Sequence, residues 1–162
     1  MRGGDALRYD PTNEPGIHAP WLYNALGQPW KTQATVRQIV DTVYGTGPSG
    51  LPGNDDLGTM SAWYVFSALG LYPQTPGSAH LLLGAPVFPK AVLDRPGRKD
   101  ITISAPAADD THVYVDAVRL DGRPSQTSWT DAGLALSGGT LDFRLAGQPD
   151  TRWGTDPAHL PE

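Results

Sequence analysis

The chain has 162 residues with 19 Gly, 16 Pro, no Cys and 17 acidic residues against 12 Lys plus Arg, a formal net charge of −5. That length makes one domain or a piece of a larger one, and the scattered minority of basic residues disfavours a phosphate-tracking nucleic-acid surface or a polybasic membrane patch. Without Cys there is no disulfide scaffold, thiolate zinc site or thiol nucleophile, and no apolar stretch approaches the ~20 residues of a membrane span.

In chain order, residues 1–18 read as loop, broken by Gly3, Gly4, Pro11, Pro15 and Gly16, and the polar residues after Met1–Asp5 do not make a signal peptide. A short apolar helix is predicted over 19–27, with Pro20 in a tolerated first-turn position and Gly27 as a left-handed C-terminal cap. After a turn at Gln28-Pro29-Trp30, a second helix runs from about Thr32 to Tyr44. Val36, Ile39, Val40 and Val43 lie on its core face, with Arg37, Gln38 and Asp41 facing away. Residues 45–54 hold four Gly and two Pro and must be a loop. A third helix is expected from Asp55-Asp56 to Leu69, ended by Gly70 and apolar nearly all round, hence buried on most sides. Beyond a boundary near 71–80 the runs become β-like at 81–83, 91–93, 100–104, 112–120 and 140–145, with hairpin signals at Asp121-Gly122 and Gly138-Gly139. In the fourth run, alternation of Val113, Val115 and Ala117 against Tyr114, Asp116 and Val118 makes both faces partly apolar, as in a strand between two layers. The fold class is therefore α+β.

The familiar catalytic patterns are absent. His18, His80, His112 and His159 show no paired spacing for zinc, Ser61 lacks a nucleophile elbow, and Gly47–Gly50 and Leu51–Asn54 lack the Lys-Ser/Thr of a phosphate loop. Carboxylate and amide oxygens remain, in two clusters forty residues apart, Asn13-Glu14 and Asn54-Asp55-Asp56. If the first two helices pack as an antiparallel hairpin, the chain returns and the clusters become neighbours. Oxygen donors in a rigid loop suit a hard cation such as calcium, and carboxylates at a helix N-terminus favour the ionised form of a base. The plainer alternatives stay open: Asp55 or Asp56 as a helix cap, Asn13-Glu14-Pro15 as a turn, and Trp21, Trp63 and Tyr64 as core rather than sugar platforms. Trp30, placed in a turn, is the aromatic best exposed to a ligand, and His18 reads as a supporting group.

The order Thr-Asn-Glu-Pro (12–15), Ala-Leu-Gly-Gln-Pro-Trp-Lys-Thr-Gln (25–33) and Gly-Leu-Pro-Gly-Asn-Asp-Asp-Leu-Gly-Thr-Met-Ser-Ala-Trp-Tyr-Val-Phe-Ser-Ala-Leu-Gly-Leu-Tyr-Pro (50–73) resembles the C-terminal part of glycoside hydrolase family 92. The similarity continues through 100–105, 114–122, Ser128-Trp129, 138–141 and Trp153-Gly154. These are calcium-dependent, inverting exo-α-mannosidases. The resemblance implies that residues 1–72 are three helices of a partial (α/α)6 catalytic barrel and 73–162 a small antiparallel β segment closing it. It implies Ca2+ held by Asn13 and Glu14 with the Thr12 carbonyl, and Asp56 as the general base with Asp55 or Asn54 assisting. Substrate contacts would come from Asn54, Asp10, Tyr9 and Trp30. Mannose-containing glycans become the expected substrates, secretion or the periplasm the expected location, and a missing N-terminal part the source of the general acid. Family members cleaving α-1,2 bonds carry His-Glu before the metal loop, where this chain has Tyr9-Asp10, so α-1,2 or a related linkage stays open. The competing expectations are a non-catalytic carbohydrate-binding or structural module and another (α/α)6 glycosidase or phosphorylase.

Overall fold

The computed structural model describes residues 9–78 and 80–161; the loop and leader readings over 1–8 lie outside them. A 3-10 turn at Glu14–Gly16 precedes a second at Ala19–Trp21, which runs directly into helix α1, Leu22–Ala25. Pro20 lies in the first turn, and Gly27 takes a left-handed φ of +66°. Helix α2, Pro29–Val43, starts earlier than its apolar period suggests because Pro29 occupies the N-terminal position, where a missing N–H is no loss. Trp30 consequently lies in the helix and not in a turn. Val36, Ile39 and Val40 are buried as their spacing predicts.

Arg37 does not simply face away. Its side chain is only 10% exposed and is held by Asp41 and Asp110, each at 2.8 Å, and by the Asp109 carbonyl at 3.0 Å. Helix α3 is Thr59–Ala68, four residues shorter at its start than expected, since Asp56, Leu57 and Gly58 have φ of 48°, 58° and 95° and cannot be helical. Its apolar composition also overstates its burial. Met60, Trp63, Ser67 and Ala68 are buried, but Ala62 is exposed and Val65 is 54% exposed, leaving one apolar side open.

Two sheets follow. Strands β1, Leu71–Tyr72, β2, Leu81–Leu83, and β7, Trp129–Thr130, form a three-stranded sheet in the order β1-β2-β7. The other sheet holds β3, Lys90–Leu93, β4, Ile101–Ser104, β5, Tyr114–Leu120, β6, Arg123–Ser125, and β8, Gly139–Ala146, in the order β3-β4-β8-β5-β6. Pairing is antiparallel throughout except between β4 and β8, which run parallel with Ile101 opposite Gly139. Asp121-Gly122 makes the expected hairpin turn, with φ of 47° and 78°. Gly138-Gly139 does not. Gly138, at φ 73°, ends helix α4, Ala132–Ser137, and Gly139 enters the parallel strand. A bulge between Val115 and Ala117 breaks the alternation expected in β5, so that Val115 and Val118 both face the core.

The helical and β segments are joined by polar ties as well as by packing. The Asn24 side-chain amide is buried and donates to the Leu83 carbonyl at 3.0 Å and the Ser128 carbonyl at 2.9 Å. The Val115 N–H donates to Gln33 Oε1 at 3.1 Å. Trp21 is fully buried and stacks on Tyr72 at 5.0 Å, and the Trp63 indole donates to the Ile17 carbonyl at 2.9 Å. The core reading therefore holds for both tryptophans.

Candidate active site

The hairpin of α1 and α2 goes out and comes back, and the loop before α1 meets the loop after α2. Gly53 lies against Thr12, whose Cβ would be 3.5 Å from a Cβ placed on the glycine. The Thr59 hydroxyl, at the first position of α3, donates to Glu14 Oε1 at 3.2 Å. The two clusters are thus neighbours, as the hairpin reading expected.

The first loop is organised by Asp10, whose carboxylate accepts the Thr12 N–H at 2.9 Å and the Thr12 hydroxyl at 2.7 Å. Asn13 and Glu14 follow, both exposed, with Pro15 fixing the 3-10 turn and the Gly16 N–H closing onto the Asn13 carbonyl at 2.9 Å. The Asn13 side chain makes no capping hydrogen bond. Tyr9 supports this loop from beneath. Its ring lies against Gly16, its hydroxyl is buried without a hydrogen-bond partner among the described residues, and burial pushes that hydroxyl well above the ordinary tyrosine range.

The second loop is stiffened by Gly45 and Gly50, since a Cβ on Gly50 would run into the Gly45 carbonyl. It delivers the two aspartates to different tasks. The Asp55 carboxylate accepts both the N–H and the hydroxyl of Ser61 at 2.9 Å, and its carbonyl accepts Gly58 N–H and Met60 N–H at 3.2 and 3.1 Å. It caps α3. Asp56 sits one residue further, exposed and left-handed, and its carboxylate has no hydrogen bond or ion pair among the described residues. Asn54 is exposed beside it. Tyr44 closes the back of the turn, donating to the Met60 carbonyl at 3.2 Å and stacking on Trp63 at 5.7 Å. Its hydroxyl is pushed up to about 12, first by burial and then by the Asp55 charge.

A cavity of about 520 Å3 opens between the loops, lined by Asp10, Thr12, Thr42, Ser49, Leu51 and Gly53. Among the predicted site residues only Asp10 and Thr12 line it: Tyr9, Asn13, Glu14, Asn54, Asp55 and Asp56 lie outside its lining, and so does Trp30. The residue lies at the opposite end of α2, roughly 20 Å from Val43 at about 1.5 Å per residue. Sequence reasoning passed over Thr42 and Ser49, which line the cavity, and Tyr44, Thr59 and Ser61, which hydrogen-bond within and between the loops. For Thr59 and Ser61 a signal existed, an acidic residue followed by hydroxyl residues at a helix start. The donors of Thr12, Asn13 and Glu14 are all oxygen and match a hard cation in kind. Among the described residues, however, no three His, Asp or Glu side chains gather to hold a metal.

Comparison with known proteins places these loops in context. The model of the glycosyl hydrolase family 92 catalytic domain matches residues 1–147. An uncharacterized secreted glycosidase of Arthroderma benhamiae is 30% identical over 152 residues, covering 92% of this chain and 20% of that protein. A GH92 α-mannosidase of Bacteroides thetaiotaomicron, solved in complex with mannoimidazole, superposes with a TM-score of 0.91 at 34% identity, over 95% of this chain and 20% of that one. A GH92 inverting mannosidase of the same species gives a TM-score of 0.86 at 37% identity, over 93% and 20% of the two chains. This chain thus spans about a fifth of the length of these relatives.

Proposed function

The chain belongs to glycosyl hydrolase family 92, and from that premise we propose that it is the C-terminal part of an inverting, calcium-assisted exo-α-mannosidase, carrying the base half of the active site. The observation that carries this reading is the division between the two aspartates. Asp55 is committed to Ser61, whereas Asp56 is exposed, without a side-chain partner among the described residues, and held by a strained turn next to the Glu14 loop. An unengaged carboxylate is what a water-activating base requires. Inversion needs a second carboxyl group roughly 6.5–9.5 Å away, which we assign to the four-fifths of the family's length outside this chain.

In this reading Asn13 and Glu14, with the Thr12 carbonyl, hold the calcium, and Asn54 and Asp10 contact the sugar. A calcium ion held there would supply a hard, oxygen-preferring centre for the hydroxyls of a terminal mannose. Tyr9 acts through packing under the loop. Residues 1–72 are read as part of an (α/α)6 barrel and 73–162 as its closing β segment. The open apolar side of α3, with Val65 and the fully exposed Leu57, is consistent with a further barrel helix packing there. Export from the cell follows the description of the Arthroderma relative as secreted.

A carbohydrate-binding module would need exposed aromatic platforms on the β segment. Phe143 and Trp153 are buried, Tyr114 is half-buried, Trp129 is half-buried with its ring tilted against His80 at 4.5 Å and its indole bonded to the His159 carbonyl, and Phe88 is a single exposed ring, so no row of platforms forms. The site reading is favoured on that ground. The test is to incubate the 162-residue chain with an aryl α-mannoside and calcium. No turnover is expected, and turnover abolished by Asp56→Asn would overturn the half-site assignment. Calcium-dependent retention on mannose resin, lost in Glu14→Ala, is expected; retention that survives that substitution would favour the module.

A further inference from the structure

We propose that Thr59 is a positioning residue for Glu14, tying the cation-binding loop to the rigid start of α3; this rests on the reading of Glu14 as a calcium ligand. The Thr59 hydroxyl donates to Glu14 Oε1 at 3.2 Å across 45 residues of chain. An exposed glutamate otherwise rotates freely about three side-chain torsions, and freezing them is part of the cost of seating a cation. A carboxylate has about four lone-pair sites, so one hydroxyl donor orients it and leaves the others for metal.

Thr59 is suited to this because its own backbone is held from several sides. Its N–H donates to the Asp56 carbonyl at 3.2 Å, Asp55 caps the same helical turn through Ser61, and the next residue, Met60, is fully buried and bonded to Tyr44. The β-branch of threonine restricts its χ1 further. On the other side Glu14 starts a 3-10 turn fixed by Pro15. The hydrogen bond therefore joins two stiff elements, and through Asp56 the base turn and the metal loop move as one unit.

Two measurements on the 162-residue chain test this. The first is a calcium-free double-mutant cycle of Thr59→Val and Glu14→Ala by urea unfolding, for which a coupling of at least about threefold in the unfolding constant is expected. Additive effects would overturn the contact. The second is calcium affinity by titration calorimetry. Outer-sphere partners of metal ligands typically change affinity by about 10–100-fold, so Thr59→Val should weaken binding about tenfold while Thr59→Ser stays near the parent. Equal affinity of the valine variant and the parent, with Glu14→Ala unable to bind, would overturn the positioning role and leave the calcium reading intact. Failure of the parent chain to bind calcium would instead overturn the calcium reading and the affinity part of this proposal, the coupling being judged on the first measurement alone.

Discussion

The turn from Asp55 to Gly58 should respond to substitution with opposite signs at adjacent residues. Asp55→Ala removes the acceptor of the Ser61 N–H and hydroxyl and leaves an N-terminal amide of α3 without its cap. Losing a cap costs about 0.5–2 kcal/mol, and hydrogen bonds to a charged group run to about 1.5–3 kcal/mol, so about 2 kcal/mol is expected for the half-buried Asp55 and its exposed partner Ser61. Leu57→Gly should do the reverse. Leu57 is fully exposed, so no packing is lost, and it holds φ at 58°. Left-handed backbone costs a residue with a Cβ roughly 1–2 kcal/mol, and the greater unfolded-state freedom of glycine takes back about 0.5–1, leaving a gain of roughly 0.5–1 kcal/mol. Asp56→Asn should be nearly neutral, because asparagine tolerates this conformation and the carboxylate has no partner to lose. Thermal unfolding at pH 7 separates the three: for about 160 residues the melting temperature should drop by roughly 4–8 °C in Asp55→Ala and rise by about 1–4 °C in Leu57→Gly. A loss in Asp56→Asn equal to that in Asp55→Ala would refute the division of labour on which the assignment of Asp56 as base depends.

Alkaline pH should destabilise the chain through its buried tyrosines. Tyr9, Tyr44 and Tyr72 are all pushed above their ordinary value by burial, so the folded state holds these protons more tightly than the unfolded one. Stability is full below about pH 10, the unfolded value, and falls as the pH rises through about 12, where Tyr44 titrates in the folded chain; Tyr44→Phe should flatten urea midpoints measured between pH 9 and 11. Tyr9→Phe removes a buried hydroxyl that has no partner and should stabilise by about 1 kcal/mol at pH 7 in the same assay. Asn24→Ala deletes two buried hydrogen bonds to the β segment and should cost about 2–4 kcal/mol. It should also leave a single unfolding transition in tryptophan fluorescence and far-UV circular dichroism, because the helical and β segments share one core boundary.

Much of this arrangement was legible from local pattern. The apolar period of α2, the Gly/Pro loops and the Asp-Gly hairpin are decided by neighbours within a few residues, and the out-and-back hairpin follows from them. What escaped was decided further away or by residues with two uses. Asp55-Asp56 carries the ordinary signal of a helix start, yet the capping carboxylate reaches Ser61 from outside the helix and three left-handed residues intervene. Gly138-Gly139 is equally a hairpin signal and a helix cap leading into a strand, and the choice is made by the parallel pairing of β4 with β8, which no local pattern encodes. β1 and β7 have two residues each, too few to show any period. Pro29 both ends the turn and starts the helix, and that ambiguity is what displaced Trp30 from the site.

The long β segment lies away from the two loops, yet it bears on their geometry through the hairpin that positions them. Asn24 at the end of α1 is fixed to β2 and to the residue before β7, Gln33 in the first half of α2 accepts from β5, and Arg37 at its middle is clamped by Asp109 and Asp110 on the approach to that strand. These ties run along α2 from its far end toward the site, so the sheets brace the rear of the lever whose other end carries Thr42, the 45–54 loop and the Asp56 turn. Helices as short as α1 have little stability of their own, and the brace adds to the packing of Trp21, Ile39 and Val40 and to the Thr59–Glu14 and Trp63–Ile17 hydrogen bonds that keep its two loop ends together. On the proposed reading the β segment thus serves the site by bracing it, because carboxylates a few ångströms out of place lose the geometry that hydrolysis requires.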